Sequence, residues 1–302
     1  LIGVYLLFVI IGPSSFSSPG NLETIARQTA IVGTAALGMT MVIIAGGIDL
    51  SVGSVIALVT VLIASAMQAG FSPLAAVLAG VLGGTLCGLV NGLLITRLRV
   101  VPFVVTLGTL LVVRGAAKGI AHEQKIDAPL TWVNDLLASL PPDRAWHLFP
   151  PGVWVMVLLA VGVAVLLRYT RPGRHMFALG SNEQTARLCG VPVERVKLLV
   201  YGLSAMFSGI AGVMQFSRLT VGDPTVAVGT ELDVIAAVVI GGGSFSGGEG
   251  SVLGTMVGAL IMTVIRSGCS QMGLPNWVQE MVTGTIIVLA VAVDRLRHRR
   301  MA

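Results

Sequence analysis

Apolar runs recur from one end of this chain to the other with only short polar gaps, and no stretch is polar enough to fold as an independent water-soluble domain. At 302 residues, length alone would suggest two soluble domains of about 150 residues each. Composition removes that option. Hydrophobic residues make up 55% and charged residues 11%, against roughly a quarter charged in an ordinary soluble domain, and the mean hydropathy is +0.91. The 38 glycines follow no collagen period and fall mostly inside apolar runs, where small residues let membrane helices approach closely. The pattern predicts an all-α polytopic membrane protein, with one transmembrane domain over residues 1–302.

Taking proline, glycine and charge clusters as breaks gives about ten spans: 1–12, 22–45, 51–67, 73–96, 103–119, 152–168, 196–217, 231–241, 251–266 and 277–293. Segments 51–67 and 231–241 fall short of the ~20 residues that cross a bilayer, and each abuts a glycine-rich break. The first run ends near Gly12. At about 1.5 Å per residue it covers only ~18 Å of a ~30 Å hydrocarbon core, so further residues are expected upstream of Leu1.

The net charge is +5, but the basic residues form no patch for nucleic acid. Arg97 and Arg99 share one loop, Arg168, Arg171, Arg174, Arg187, Arg195 and Lys197 another, and Arg295, Arg297, Arg299 and Arg300 the tail. These are 12 of the 19 Lys and Arg residues, all on one face, which the positive-inside bias makes cytoplasmic together with the C-terminus. Trp132, Trp146, Trp154 and Trp277 fall at the opposite face, where amphipathic rings favour the interface. The longest outer segment, 120–150, carries Asp127, Asp135, Asp143 and Pro141-Pro142 and is expected to cover the outer mouth.

The loop between the sixth and seventh spans holds the sharpest local signal. Ser181 with Gln184 reads as a capping box, and Gly190 before Pro192 as a helix stop, predicting a two-turn helix over 182–189 outside the membrane. It is either an amphipathic connector or a docking helix for a cytoplasmic partner. Gly46-Gly47-Ile48-Asp49-Leu50-Ser51-Val52-Gly53 and Gly241-Gly242-Gly243-Ser244, with Gly250-Ser251-Val252 just after it, follow apolar spans at inner-face hairpins. Lying six spans apart, they fit a parallel duplication. Asp49 reads as the N-cap of the next span, where the helix dipole favours its charge. The functional alternative is a hinge at a cytoplasmic gate, with Ser51 beside it. Gly80, Gly84, Gly88 and Gly92, and again Gly250, Gly254 and Gly258, form i, i+4 stripes that suit helix packing or a smooth pore wall. Asn91 and Gln215 can hydrogen-bond either a neighbouring helix or a sugar hydroxyl.

These strings, with Gly38-Met39-Thr40, Val90-Asn91-Gly92-Leu93-Leu94-Ile95 and Val239-Ile240-Gly241-Gly242-Gly243-Ser244, together resemble the permeases of bacterial ribose-type sugar ABC importers, a group that includes permeases for xylose, arabinose, galactose and autoinducer-2. The resemblance runs in order through nearly the whole chain. It implies a dimer of permeases, identical or paired with a sister chain, in the bacterial inner membrane around a central path for a pentose or hexose. It also implies a cytoplasmic ATP-binding subunit and a periplasmic sugar-binding protein. In such a permease the coupling helix that meets the ATPase would be the 180–190 segment, here Gly180, Ser181, Asn182, Glu183, Ala186, Arg187 and Gly190. Gly46, Gly47, Asp49, Ser51 and Gly53, with Gly241, Gly242 and Gly243, are the candidate gate and hinge.

Other chemistries lack their residues. No Lys follows a Gly, so there is no GxxxxGK[ST] phosphate loop. Cys87, Cys189 and Cys269 are far apart without metal spacing, and His122, His147, His175 and His298 lie in loops or the tail, so neither cofactor nor metal is expected. Glu23, Glu231, Asp233 and Glu280 are expected toward outer span ends, which weakens an ion-coupled carrier. The closest rival is a permease for branched-chain amino acids, which shares glycine-rich hairpins. Nothing suggests an enzyme.

Overall fold

The protein is described by a computed structural model covering residues 1–140 and 148–299. Pro141, Pro142, Asp143, Trp146, His147 and Arg300 lie outside the described residues, as do the side chains of 293–299. Twelve α-helices follow in order among the described residues: α1 Ile2–Ile11, α2 Pro19–Ile44, α3 Val52–Gln68, α4 Pro73–Leu98, α5 Pro102–Ile120, α6 Pro151–Tyr169, α7 Arg171–Ser181, α8 Glu183–Leu188, α9 Val193–Leu219, α10 Thr230–Ile240, α11 Val252–Gln271 and α12 Asn276–Arg299. Two-residue strands β1 (Ile126–Asp127) and β2 (Val221–Gly222) pair antiparallel and tie the 120–150 segment to the chain leaving α9.

Each of the ten apolar segments is helical, with ends displaced by a few residues. Six helices, α2, α4, α5, α6, α9 and α11, are long and apolar enough to cross a membrane. The apolar stretches of α1, α3 and α12 are shorter, and α10 has 11 residues. Local chemistry sets the starts. Pro19, Pro73, Pro102 and Pro151 open α2, α4, α5 and α6, where a missing N–H costs nothing and φ is already helical. Ser18, Ser72 and Ser251 cap α2, α4 and α11 by accepting from Asn21, Ala75 and Gly254 N–H groups.

The interior is built on α2, α3, α9 and α10, whose packed residues include Leu37, Ile56, Tyr201 and Val238. Both glycine stripes are used inside the chain. Gly88 lies on the backbone of Tyr201 and Gly92 against Leu198, seating α4 on α9, while Gly254 and Gly258 lie on the carbonyls of Gly241 and Ala237, seating α11 on α10. Two features depart from the sequence reading. A whole helix, α7, precedes the short one, because the Thr170 side chain caps the Gly173 N–H just after α6 ends. Span nine does not stop at Arg266 but runs to Gln271, and the half-exposed Arg266 guanidinium pairs with the buried Asp233 carboxylate on α10. Asp233 itself, in the first turn of α10, is buried at 3% exposure.

Candidate functional site

The two glycine hairpins close by the same device. After α2, the Gly46 N–H donates to Ile43 O and the Gly47 N–H to Val42 O; after α10, Gly242 donates to Val239 O and Gly243 to Val238 O. Gly46 has φ +78° and Gly242 φ +90°, the left-handed conformation that lets a helix turn back and satisfy its last carbonyls at little steric cost. The hairpins then touch. The Gly248 N–H donates to Ile44 O at 2.9 Å, so the second hairpin caps the helix that leads into the first.

Gly180, at the end of α7, completes this junction. A Cβ there would overlap the Ile44 carbonyl oxygen and lie 2.5 Å from Gly248 N, and a Cβ on Gly247 would strike the Gly180 carbonyl. Met176 and Leu179, both buried in the main core, anchor α7 one turn earlier. α8 follows at once. Its cap is Asn182, not Ser181: the Asn182 Oδ1 accepts from the Thr185 N–H at 2.8 Å, and Ser181 is the last residue of α7. At its other end Gly190 takes φ +82°, its N–H bonded to Arg187 O and that of Val191 to Ala186 O. Glu183 pairs with Lys197 at 2.8 Å and Arg187 with Glu194 at 2.6 Å, pinning α8 to the start of α9. The hydrogen bond to Glu194 also pushes the Arg187 pKa up from its already high value. Ala186 faces inward, 4% exposed, while Leu188 is 89% exposed. The outward face of α8 thus consists of Thr185, Leu188 and their neighbours.

Asp49 is not the N-cap of α3, a place taken by Ser51 without a side-chain bond. Its carboxylate instead bridges elements. Oδ1 accepts from the Ser51 N–H at 3.0 Å and from Ser51 Oγ at 2.6 Å, and Oδ2 accepts from Ser204 Oγ on α9 at 3.1 Å. Asn91 Nδ2 on α4 donates to Ser51 Oγ at 3.1 Å, and Thr106 Oγ1 on α5 donates to Ile48 O. Asp49 is 1% exposed and has no cationic partner among the described residues. Ser204 lies about 16 Å along α9 from its start, so the first hairpin reaches back into the bundle. Asn91 therefore binds between helices. Near the start of α3, Gly53 meets Ala227 and Glu231, so the N-termini of α3 and α10 come together inside the fold.

Gln215 is placed elsewhere. It borders a polar cavity of about 240 Å³ between α2, α9, α11 and the first turn of α10, together with Gln28, Arg218, Asp233, Thr263 and Arg266. Arg266 and Asp233 pair there at 2.6 Å. Of these six residues sequence reasoning singled out Gln215 and named Asp233 only as an acid near a span end. The available signal was Arg266, a charge within an apolar helical period, which reads equally as a span end or as the partner of a buried acid. The Gly180 junction left no signal, because its members are more than 60 residues apart in the chain.

Comparison with known proteins places these features in context. The family described as branched-chain amino acid transport system, permease component, matches residues 21–291. The chain is 41% identical over 297 residues to the ribose import permease protein RbsC of Bacillus subtilis, covering 97% of this chain and 91% of that one. To RbsC of Escherichia coli K12 it is 36% identical over 300 residues, covering 99% and 93%. To the L-arabinose ABC transporter permease protein AraH of Azospirillum brasilense it is 34% identical over 313 residues, covering 99% and 88%. No solved structure matches the chain.

Proposed function

The chain belongs to the permease-component family just described, and on that premise we propose that it is the membrane subunit of an ATP-driven bacterial importer that forms the path for a monosaccharide. The full-length relatives are named for ribose and arabinose, which favours a sugar over the amino acid in the family's description. In this reading α1 to α6 and α9 to α12 are ten spans in the inner membrane, with the Arg-rich loops and the C-terminus in the cytoplasm. Two permease copies surround the path, a periplasmic binding protein delivers the sugar to the outer loops, and a cytoplasmic ATP-binding subunit grips α8.

The observation that carries the mechanism is the meeting of Gly180 with Ile44 and Gly248. Movement imposed on α8 passes through α7 into both glycine hairpins at once, as a rigid-body displacement. The Asp49 bridge then relays it from the first hairpin to α4 and α9. The permease itself performs no chemistry; its work is to expose the path to one side and then the other.

The test is reconstitution with the ATPase and binding protein. Uptake of labelled ribose or arabinose against a gradient is expected only with ATP on the ATPase side, and it should survive an uncoupler. Accumulation by the lone permease under an imposed pH or sodium gradient would replace this reading with an ion-coupled carrier.

A further inference from the structure

The cavity beside α10 has the composition of a ligand site, and its position says where a ligand would come from. With 11 residues, α10 spans about 16 Å, half of a ~30 Å core. Its other end, at Gly242, lies level with the hairpin that follows α2. Its N-terminus therefore lies deep in the bundle, reached from β2 through the turns of 224–229. The cavity sits over that N-terminus.

Its polar groups are incompletely used. Gln28 Oε1 and Asp233 Oδ1 are both buried and accept no hydrogen bond among the described residues. Asp233 is 3% exposed, and its other oxygen is held by Arg266. Arg218 lines the same cavity, near the like charges of Arg27 and Arg266. A buried acceptor without a donor costs free energy, so the site is built for an occupant that donates. Arg218 supplies donors while the Gln28 and Asp233 oxygens accept, so an occupant that only accepts or only donates leaves one set unmet. A hydroxyl both donates and accepts, and several on one small ring satisfy Gln28 and Asp233 while accepting from Gln215 and Arg218. The volume, about 240 Å³, is below the ~300 Å³ at which pockets for drug-sized ligands begin. That size suits a single sugar ring.

We propose that this cavity is a transit site that holds a single monosaccharide inside the permease between release by the binding protein and exit past the glycine hairpins. The proposal rests on the importer reading. It assigns Gln28, Gln215, Arg218 and Asp233 to direct contact with sugar hydroxyls, and Arg266 to holding Asp233 in place.

Saturation-transfer NMR on the permease–ATPase complex in lipid nanodiscs, with free D-ribose and L-arabinose at millimolar concentration, tests it. The wild-type complex should transfer saturation to at least one of the two sugars. Gln28→Leu and, separately, Gln215→Leu should each reduce that transfer at least five-fold, with co-purification of the ATPase showing that the variant folds. Inorganic phosphate at equal concentration should not displace the sugar. Absent transfer in the wild type, unchanged transfer in both variants, or displacement by phosphate overturns the proposal. If ATP-driven uptake is nevertheless present, the importer reading stands without a transit site; if no sugar is taken up, the importer reading has failed as well.

Discussion

The most enclosed long helix is the least apolar, and the two most apolar ones are largely exposed. Across its most hydropathic window α2 is 89% buried with mean hydropathy 1.3, whereas α4 is 22% buried at 2.0 and α6 is 28% buried at 2.1. A water-soluble fold shows the reverse. With lipid outside, apolar surface gains nothing by facing inward, and association rests on close packing and polar contacts between helices. Accordingly α2 contributes Thr29, which hydrogen-bonds Thr263 at 2.7 Å, and Thr40, which hydrogen-bonds Thr255 at 2.8 Å. Leu78, Leu82, Leu86 and Leu93 of α4 are turned outward. The rim is specified by solubility in lipid, the interior by shape and hydrogen bonding.

The contrast is broken most severely at Gly180. Gly180→Val places a branched side chain where the Ile44 carbonyl already sits; uptake by reconstituted transporter is expected to vanish, and the melting temperature of the purified permease to fall sharply. A transporter that keeps half its uptake would show that the hairpins do not need this contact. Next comes α4, where two positions two residues apart should behave oppositely. Gly88→Leu drives a side chain into the Tyr201 backbone and should cost about 3 kcal/mol, the upper end of the ~1–3 kcal/mol typical of overpacking. Leu86→Ala, at 60% exposure, should leave the melting temperature nearly unchanged; equal shifts for the pair would abolish the distinction between rim and interior.

The Asp49 bridge sharpens the comparison within the interior. Asp49→Ala strands the Ser51 N–H and the Ser204 and Ser51 hydroxyls, at a cost of roughly 1–3 kcal/mol for buried groups left without partners. Thermal unfolding in detergent measures this, and Ser204→Ala, which removes one of the three donors, should shift it less. The smallest effect is expected outside the membrane. Asn182→Ala deletes the α8 cap, worth ~1 kcal/mol, and should lower co-purification of the ATPase a few-fold while the bundle melts as before. Melting that shifts with the cap would mean that α8 is part of the core rather than a handle attached to it.

What hydropathy controls was legible in the sequence. All ten apolar segments are helices, because a run of apolar residues bounded by Pro, Gly and Ser dictates its own conformation. Where polar residues sit inside the bundle, the same rule misled. Arg266 was taken as a boundary although Asp233, 33 positions away, neutralises it. Asp49 was read as a cap because a carboxylate ahead of a helix offers its oxygen to a free N–H; here it does so to Ser51, and then uses its second oxygen on α9. The Ser181–Gln184 box lost to Asn182 one step along, an exchange among residues of near-equal capping strength. The cavity residues come from three long helices and a half-length one, and no spacing within any of them announces it.

The seam at Gly180 has one more consequence. Contacts between side chains are compliant: a rotamer can swing and absorb an ångström before anything behind it moves. Here peptide group bears on peptide group, through the Ile44 carbonyl, the Gly248 amide and the bare Cα of Gly180, and peptide planes have no such play. The joint behaves as a strut rather than a spring. In the proposed importer, a push on the six-residue α8 would reach both hairpins without slack and move them together.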